Sequence, residues 1–151
     1  MPWKTTLKRA KKDKEEGKAP TTQAGEFVRE EMEHIRRGKH GARNTKQAIA
    51  IGLSKARRAG VKLAAPKPGT TSSRTRKQAK RDLAKAAHGP RKTSHKRSMA
   101  RERALKRERH SAASHSALSK QARSAAARRS RSSRSAAAKK AASTRQHRRA
   151  A

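Results

Sequence analysis

With one Trp, one Phe and no Tyr in 151 residues, this chain has very little from which to build a core. Its net charge of +34 opposes whatever core it does build, because a polycation repels itself. Hydrophobic residues make up 30% of the sequence, and most of them are alanine. Low hydropathy combined with high charge cannot offset the conformational entropy lost in ordering the whole chain. The expected fold class is therefore mostly α, a small helical hairpin over about residues 22–61 followed by a long basic tail that is disordered or in isolated helices. In that reading residues 1–20 are a mixed-charge arm or short helix, 21–63 the hairpin, 64–73 a Pro/Gly/Ser/Thr linker and 74–151 a nucleic-acid-binding tail.

The hairpin rests on two amphipathic patterns. In TTQAGEFVREEMEHIRRG, from Thr21 to Gly38, Val28, Met32 and Ile35 recur at i, i+4, i+7 with Phe27 beside them. Acids fill the early turns, Arg36 and Arg37 the last, and Gly38 sits where a helix stop belongs. KQAIAIGLSKARRAG, from Lys46 to Gly60, holds Ile49, Ile51 and Leu53 within five positions. Its I-A-I-G-L alternation suggests a strand, but no partner strand exists, and a helix accounts for fifteen residues rather than five. Asn44 or Thr45 can cap it, with Gln47 completing an approximate capping box, and Gly60 ends it before Val61. The expected core is Phe27, Val28, Met32, Ile35, Ile49 and Leu53, extended by Val61 and Leu63. The join KHGARN reads as short and polar. Ile51 falls nearly opposite Ile49 and Leu53, which makes it a candidate self-association contact for a weak homo-oligomer, or simply a lone exposed aliphatic residue.

Before the hairpin, Lys4 to Glu16 reads as a frayed helix with Trp3 and Leu7 on one side, either anchored on the later core or mobile. Beyond Pro66 and Pro68, SSRTRKQAKRDLAKAAHGP predicts a helix to about Ala87, stopped by Gly89 and Pro90. The segment from Ser94 to Arg129 has high helix propensity, but Met99, Leu105 and Leu118 form no stripe, and the last stretch is low-complexity Arg/Ser and Ala/Lys.

Charge is the strongest functional signal. Residues 34–151 hold 36 Lys/Arg against Asp82, Glu102 and Glu108, a net of +33. Binding a polyanion releases the counterions condensed on it; at one phosphate per ~1.7 Å these charges match roughly 55 Å of duplex, about 16 base pairs. The candidate phosphate contacts on the hairpin are Arg43, Lys46, Lys55, Arg57 and Arg58. Those that follow are Arg74, Arg76, Lys77, Lys80, Arg81, Arg91 and Lys92, then Lys96, Arg97, Arg101, Arg103, Lys106, Arg107 and Arg109. The C-terminal set is Arg123, Arg128, Arg129, Arg131, Arg134, Lys139, Lys140, Arg145, Arg148 and Arg149. Base-specific readout has no motif behind it, and aromatic platforms for single strands are lacking.

Enzyme chemistry finds no support. The many Ser and His residues lie in low-complexity sequence, with nothing to pre-organise a triad. Glu30 and Glu33 beside His34 lack the HExxH order of a zinc site and read as helix surface. No cysteine is present, so disulfides and cysteine-ligated metals are excluded. No cofactor is expected. No apolar run approaches a spanning helix, and the N-terminus has no apolar signal segment, so a cytoplasmic, nucleoid location is expected.

FVREEMEHIRRGKHG and NTKQAIAIGLSKARRAGVKL, with the Pro/Lys linker after them, resemble a family of short lysine-rich prokaryotic proteins of unknown function, some labelled plasmid stabilisation protein. The resemblance covers about a quarter of the chain, and the tail is similar in composition to linker-histone tails. It implies a bacterial, DNA-associated role and brings no catalytic residues. The expected function is a non-specific, histone-like DNA-binding protein that neutralises and compacts chromosomal or plasmid DNA. The alternatives are a structural ribosome- or RNA-associated basic protein and a hairpin that docks a protein partner.

Overall fold

A computed structural model describes residues 2–89 and 94–150, with side chains through His147. Among the described residues there are seven α-helices and no strand. They are α1 (Lys4–Glu15), α2 (Pro20–Arg36), α3 (Thr45–Arg58), α4 (Ser73–Ala87), α5 (His95–Lys106), α6 (His115–Ala127) and α7 (Arg131–Ala150), with a 3-10 turn at His110–Ala113. The chain divides into two units, Met1–Ser114 and His115–Ala151. The expected hairpin with a disordered tail is therefore corrected. The segment assigned to the tail is helical, and its first part belongs to the same packed unit as the hairpin. Alanine supplies what large side chains were expected to supply: Ala79, Ala112 and Ala113 are buried.

Helix ends follow local chemistry. At Gly38 (φ +70°) the amide donates to the Ile35 carbonyl at 3.1 Å, and Lys39 N–H to the His34 carbonyl at 3.0 Å. The same pair of bonds closes α3, from Gly60 N–H to Arg57 O and from Val61 N–H to Ala56 O, both at 3.1 Å. These are Schellman endings, in which glycine takes the left-handed position. Asn44 Oδ1 accepts from Gln47 N–H at 2.9 Å, and Gln47 Oε1 accepts from the Arg43 amide at 2.8 Å. The capping box is thus reciprocal, but its return bond reaches one residue further back than usual.

The principal packing is α2 against α3, with α1 on α2, α4 on α3, and the 3-10 turn against both α2 and α3. The inner face of α2 carries Ala24, Phe27, Glu31 and Ile35, at i, i+3, i+7, i+11 and almost fully buried. The matching face of α3 is Thr45, Ala48, Gly52 and Ala56, at the same spacing. Ile49, Ile51 and Leu53 are only half-buried. The buried face of α3 is consequently a stripe of small residues, and the large aliphatic side chains flank it. A Cβ on Gly52 would lie 2.7 Å from Val28 Cα, so only glycine lets the two backbones come this close. Phe27 packs with Ala10, Ala24, Ala56 and Val61, and Leu53 and Leu63 close over them. In α1 the buried residues are Thr6 and Ala10, while Leu7 is exposed, so Leu7 does not share the buried side of the helix.

Ile51 lies three residues before Ser54 and seven before Arg58, on the side of α3 that meets α4. There Ser54 Oγ donates to Asp82 Oδ2 at 2.5 Å, Gln78 Nε2 donates to Asp82 Oδ1 at 3.2 Å, and Arg58 Nε lies 3.8 Å from the same oxygen. The exposed self-association contact expected at Ile51 is therefore partly covered. The join between α2 and α3 is covered too. Gly41 N–H donates to the Leu105 carbonyl (2.9 Å), Ala42 N–H to that of Arg109 (3.1 Å), Thr45 Oγ1 to that of Ala112 (2.8 Å) and Arg36 Nε to that of Ala113 (2.9 Å). A Cβ on Gly41 would overlap the Glu108 carbonyl.

Two glycines make opposite predictions. Gly52→Ala should destabilise the chain by about 1–3 kcal/mol through overpacking against the α2 backbone. Gly25→Ala, in the interior of α2 with open space around it, should stabilise by about 0.5–1 kcal/mol. Urea denaturation of the two variants checks both signs.

Candidate nucleic-acid interface and a buried charge cluster

The basic residues expected to meet phosphate fall into two groups. Most are exposed: Arg43, Lys46, Arg58, Arg74, Lys77, Lys80, Arg81, Lys96, Arg97, Arg101, Arg103, Lys106, Arg107 and Arg109 in the first unit, and Arg123, Arg128, Arg129, Arg131, Arg134, Lys139, Lys140 and Arg145 in the second. Arg91 and Lys92 lie outside the described residues, and the side chains of Arg148 and Arg149 lie outside those described.

Three candidates are drawn inward. Arg57 is buried; its Nε donates to the Leu63 carbonyl at 3.1 Å and its Nη2 to that of Ala64 at 3.3 Å. It ties the segment after α3 to the helix rather than facing solvent, and burial pulls its pKa down against the opposing pull of Asp82. Lys55 is directed at buried carboxylates. Arg76 is half-buried, on the same side of α4 as Ala79.

The exposed set includes one concave site. A cleft of about 440 Å³ is lined by Ser73, Arg74, Lys77, Gln78, Arg81 and Arg101. Arg74, Lys77 and Arg81 lie at i, i+3, i+7, one face of α4, and α5 contributes Arg101. No carboxylate lines it, because the one acid of α4, Asp82, is buried toward α3. In the second unit, residues 115–151 carry eleven Lys/Arg and no acid. Arginine pairs there with serine: Arg128 Nη2 donates to Ser124 Oγ at 3.0 Å, and Arg129 Nε to Ser133 Oγ at 3.2 Å.

A second feature lies beneath the surface. Glu30, expected on the surface of α2, and its neighbour Glu31 have side chains 1% and 0% exposed. Lys55 Nζ lies 2.5 Å from Glu31 Oε2 and 3.9 Å from Glu30 Oε1. His34 Nε2 lies 3.7 Å from Glu30 Oε1, and His40 Nε2 lies 3.3 Å from Glu31 Oε1. The Trp3 amide donates to Glu30 Oε2 at 3.1 Å, and its indole meets the His34 ring edge-on at 4.6 Å. Lys39 and Arg37 lie over the indole at 5.0 and 5.3 Å. Burial, followed by the Lys55 ammonium, pushes the His34 pKa down against the pull of Glu30. Glu33 faces outward and pairs with Arg37 at 2.6 Å. Among Glu30, Glu33 and His34, then, two are buried together and only Glu33 is surface. The helical register around Phe27 was the available signal, since positions 27, 31 and 35 share one face and 30 and 34 border it.

No family model, curated protein or solved structure matches the chain.

Removing one member of a buried ion pair leaves the other uncompensated. Lys55→Met should cost about 3–5 kcal/mol, and the double variant Lys55→Met/Glu31→Gln should recover much of that. Denaturation of the two singles and the double, as a thermodynamic cycle, measures the coupling.

Proposed function

We propose that this chain is a non-specific DNA-binding protein that neutralises and compacts duplex DNA. The observation that carries the reading is the acid-free cleft of Arg74, Lys77, Arg81 and Arg101. A cleft lined by charge of one sign focuses the field and concentrates counterions of the other sign. Phosphates along a duplex backbone are the anions that such a row of arginines on one helix face would track, and contacts of this kind fix position without reading sequence. Arginine makes bidentate bonds to phosphate oxygens, which suits it to such a site.

Duplex is favoured over single strands because the chain offers no free stacking surface. Phe27 is in the core, and Trp3 is occupied by His34 on one side and cations on the other. Single-strand binders depend on exposed aromatic faces. In the second unit, the exposed bases of α6 and α7 offer phosphate contacts of their own. The resemblance of the α2–α3 segment to short lysine-rich prokaryotic proteins is consistent with a place on chromosomal or plasmid DNA.

Fluorescence anisotropy with two unrelated duplexes should show nearly equal affinities that fall steeply between about 50 and 200 mM salt. The triple variant Arg74→Gln/Lys77→Gln/Arg81→Gln should lower the log–log salt slope by about 2–3 on both duplexes. A salt-independent affinity would overturn the proposal. A slope unchanged in the triple variant would exclude the cleft from the interface.

A further inference from the structure

We propose that Glu31, His34 and His40, with Glu30 beside them, form a binding site for a single divalent transition-metal ion of the zinc class. Glu31 and His34 stand at i and i+3 on α2, so their side chains share one face. The Schellman turn at Gly38 then brings His40 back over that face. One donor atom from each of Glu31, His34 and His40 lies within 4.8 Å of the other two. The His40 Nε2 to Glu31 Oε1 separation of 3.3 Å matches the edge between two ligands each about 2.05 Å from one tetrahedral ion.

The hydrogen bonding points the same way. Glu30 Oε1, Glu31 Oε1 and His34 Nε2 are buried without a hydrogen-bond partner, although buried polar atoms nearly always have one. His40 Nδ1 lies 3.1 Å from the Gly41 carbonyl, which can only accept, so Nδ1 carries the hydrogen. That leaves Nε2, 3.3 Å from Glu31 Oε1, as the ring nitrogen turned toward the carboxylate. A histidine whose far nitrogen is fixed by a backbone carbonyl is also the usual arrangement of a metal ligand.

Lys55 completes the site without blocking it. Its ammonium holds Glu31 Oε2 and leaves Oε1 for the ion. Two carboxylates and one ammonium leave one net negative charge for a divalent cation to meet. Mixed imidazole and carboxylate donors without sulfur favour zinc over the all-oxygen cations magnesium and calcium. The ion would clamp α2 to the join on which residues 105–113 are docked.

The test uses the full, tag-free chain stripped with EDTA and titrated with Zn²⁺ against a chromogenic chelator. One equivalent should bind with a Kd below about 1 μM, and Mg²⁺ should not compete. His34→Ala and His40→Ala should each weaken binding by at least about 10–100-fold, while His88→Ala, at an exposed position, should leave it unchanged. Zinc-edge X-ray absorption on the wild-type chain should show only nitrogen and oxygen ligands, including two imidazoles; this readout stands even if a variant fails to fold. Absence of saturable binding would overturn the proposal and make the cluster an ion-pair network only. Binding that survives both histidine variants, or a spectrum with no imidazole, would overturn it equally.

Discussion

The crossing of α2 and α3 at Gly52 is the constraint on which the rest of this structure depends. With so few large side chains, the chain cannot fill a wide space between helices. It narrows the space instead, setting Ala48, Gly52 and Ala56 against Ala24, Phe27, Glu31 and Ile35. Close backbone approach restores dispersion contacts that a sparse apolar complement would otherwise forfeit. The same approach places Lys55 within reach of Glu30 and Glu31, so the buried charges follow from the close packing. Lengthening the Gly52 side chain by one carbon would disturb both the apolar stripe and the ionic cluster next to it.

Burying these carboxylates has a consequence for the exterior. Glu30, Glu31 and Asp82 are removed from the surface, where they would have offset neighbouring cations. At the end of α1 the exposed acids are matched locally, Lys11 to Glu15 and Lys12 to the C-cap residue Glu16 at i, i+4. Several other acids are paired with a base, Glu26 with Arg9, Glu33 with Arg37 and Glu102 with Lys106, and the exposed bases of α4, α6 and α7 have few carboxylates to oppose them. A polycation arranged in this way has an unfavourable self-energy in isolation that a bound polyanion relieves.

What the sequence shows and what it hides divide along a physical line. Helix ends were legible because capping is local: Asn44 with Gln47, Gly38, Gly60 and the stop of α4 at Ala87 are each set by neighbours within a few residues. The packing of alanine was not legible. Ala112 and Ala113 look like any other alanines of a low-complexity tail, and only the three-dimensional fit of the 3-10 turn against α2 and α3 distinguishes them. The buried face of α3 was misplaced because hydrophobicity ranks Ile49 and Leu53 above Gly52, whereas a close crossing selects for smallness. Arg57 and Lys55 read as solvent-facing for the same reason, since charge alone does not reveal a carbonyl or carboxylate waiting inside.

The two candidate sites differ in what makes each one specific. The α4–α5 cleft depends on the number and sign of its charges, spread over Arg74, Lys77, Arg81 and Arg101, rather than on one fixed atom position. The cluster at Glu31, His34 and His40 depends on atom positions fixed by the Gly38 turn, the Gly41 carbonyl and the Lys55 ammonium. Moving any of these by an ångström changes which donors converge. Charge density survives rearrangement of the chain, whereas convergent donors do not. The positioned cluster, more than the basic surface, therefore gives this segment of α2 and its join a reason to keep one fixed structure.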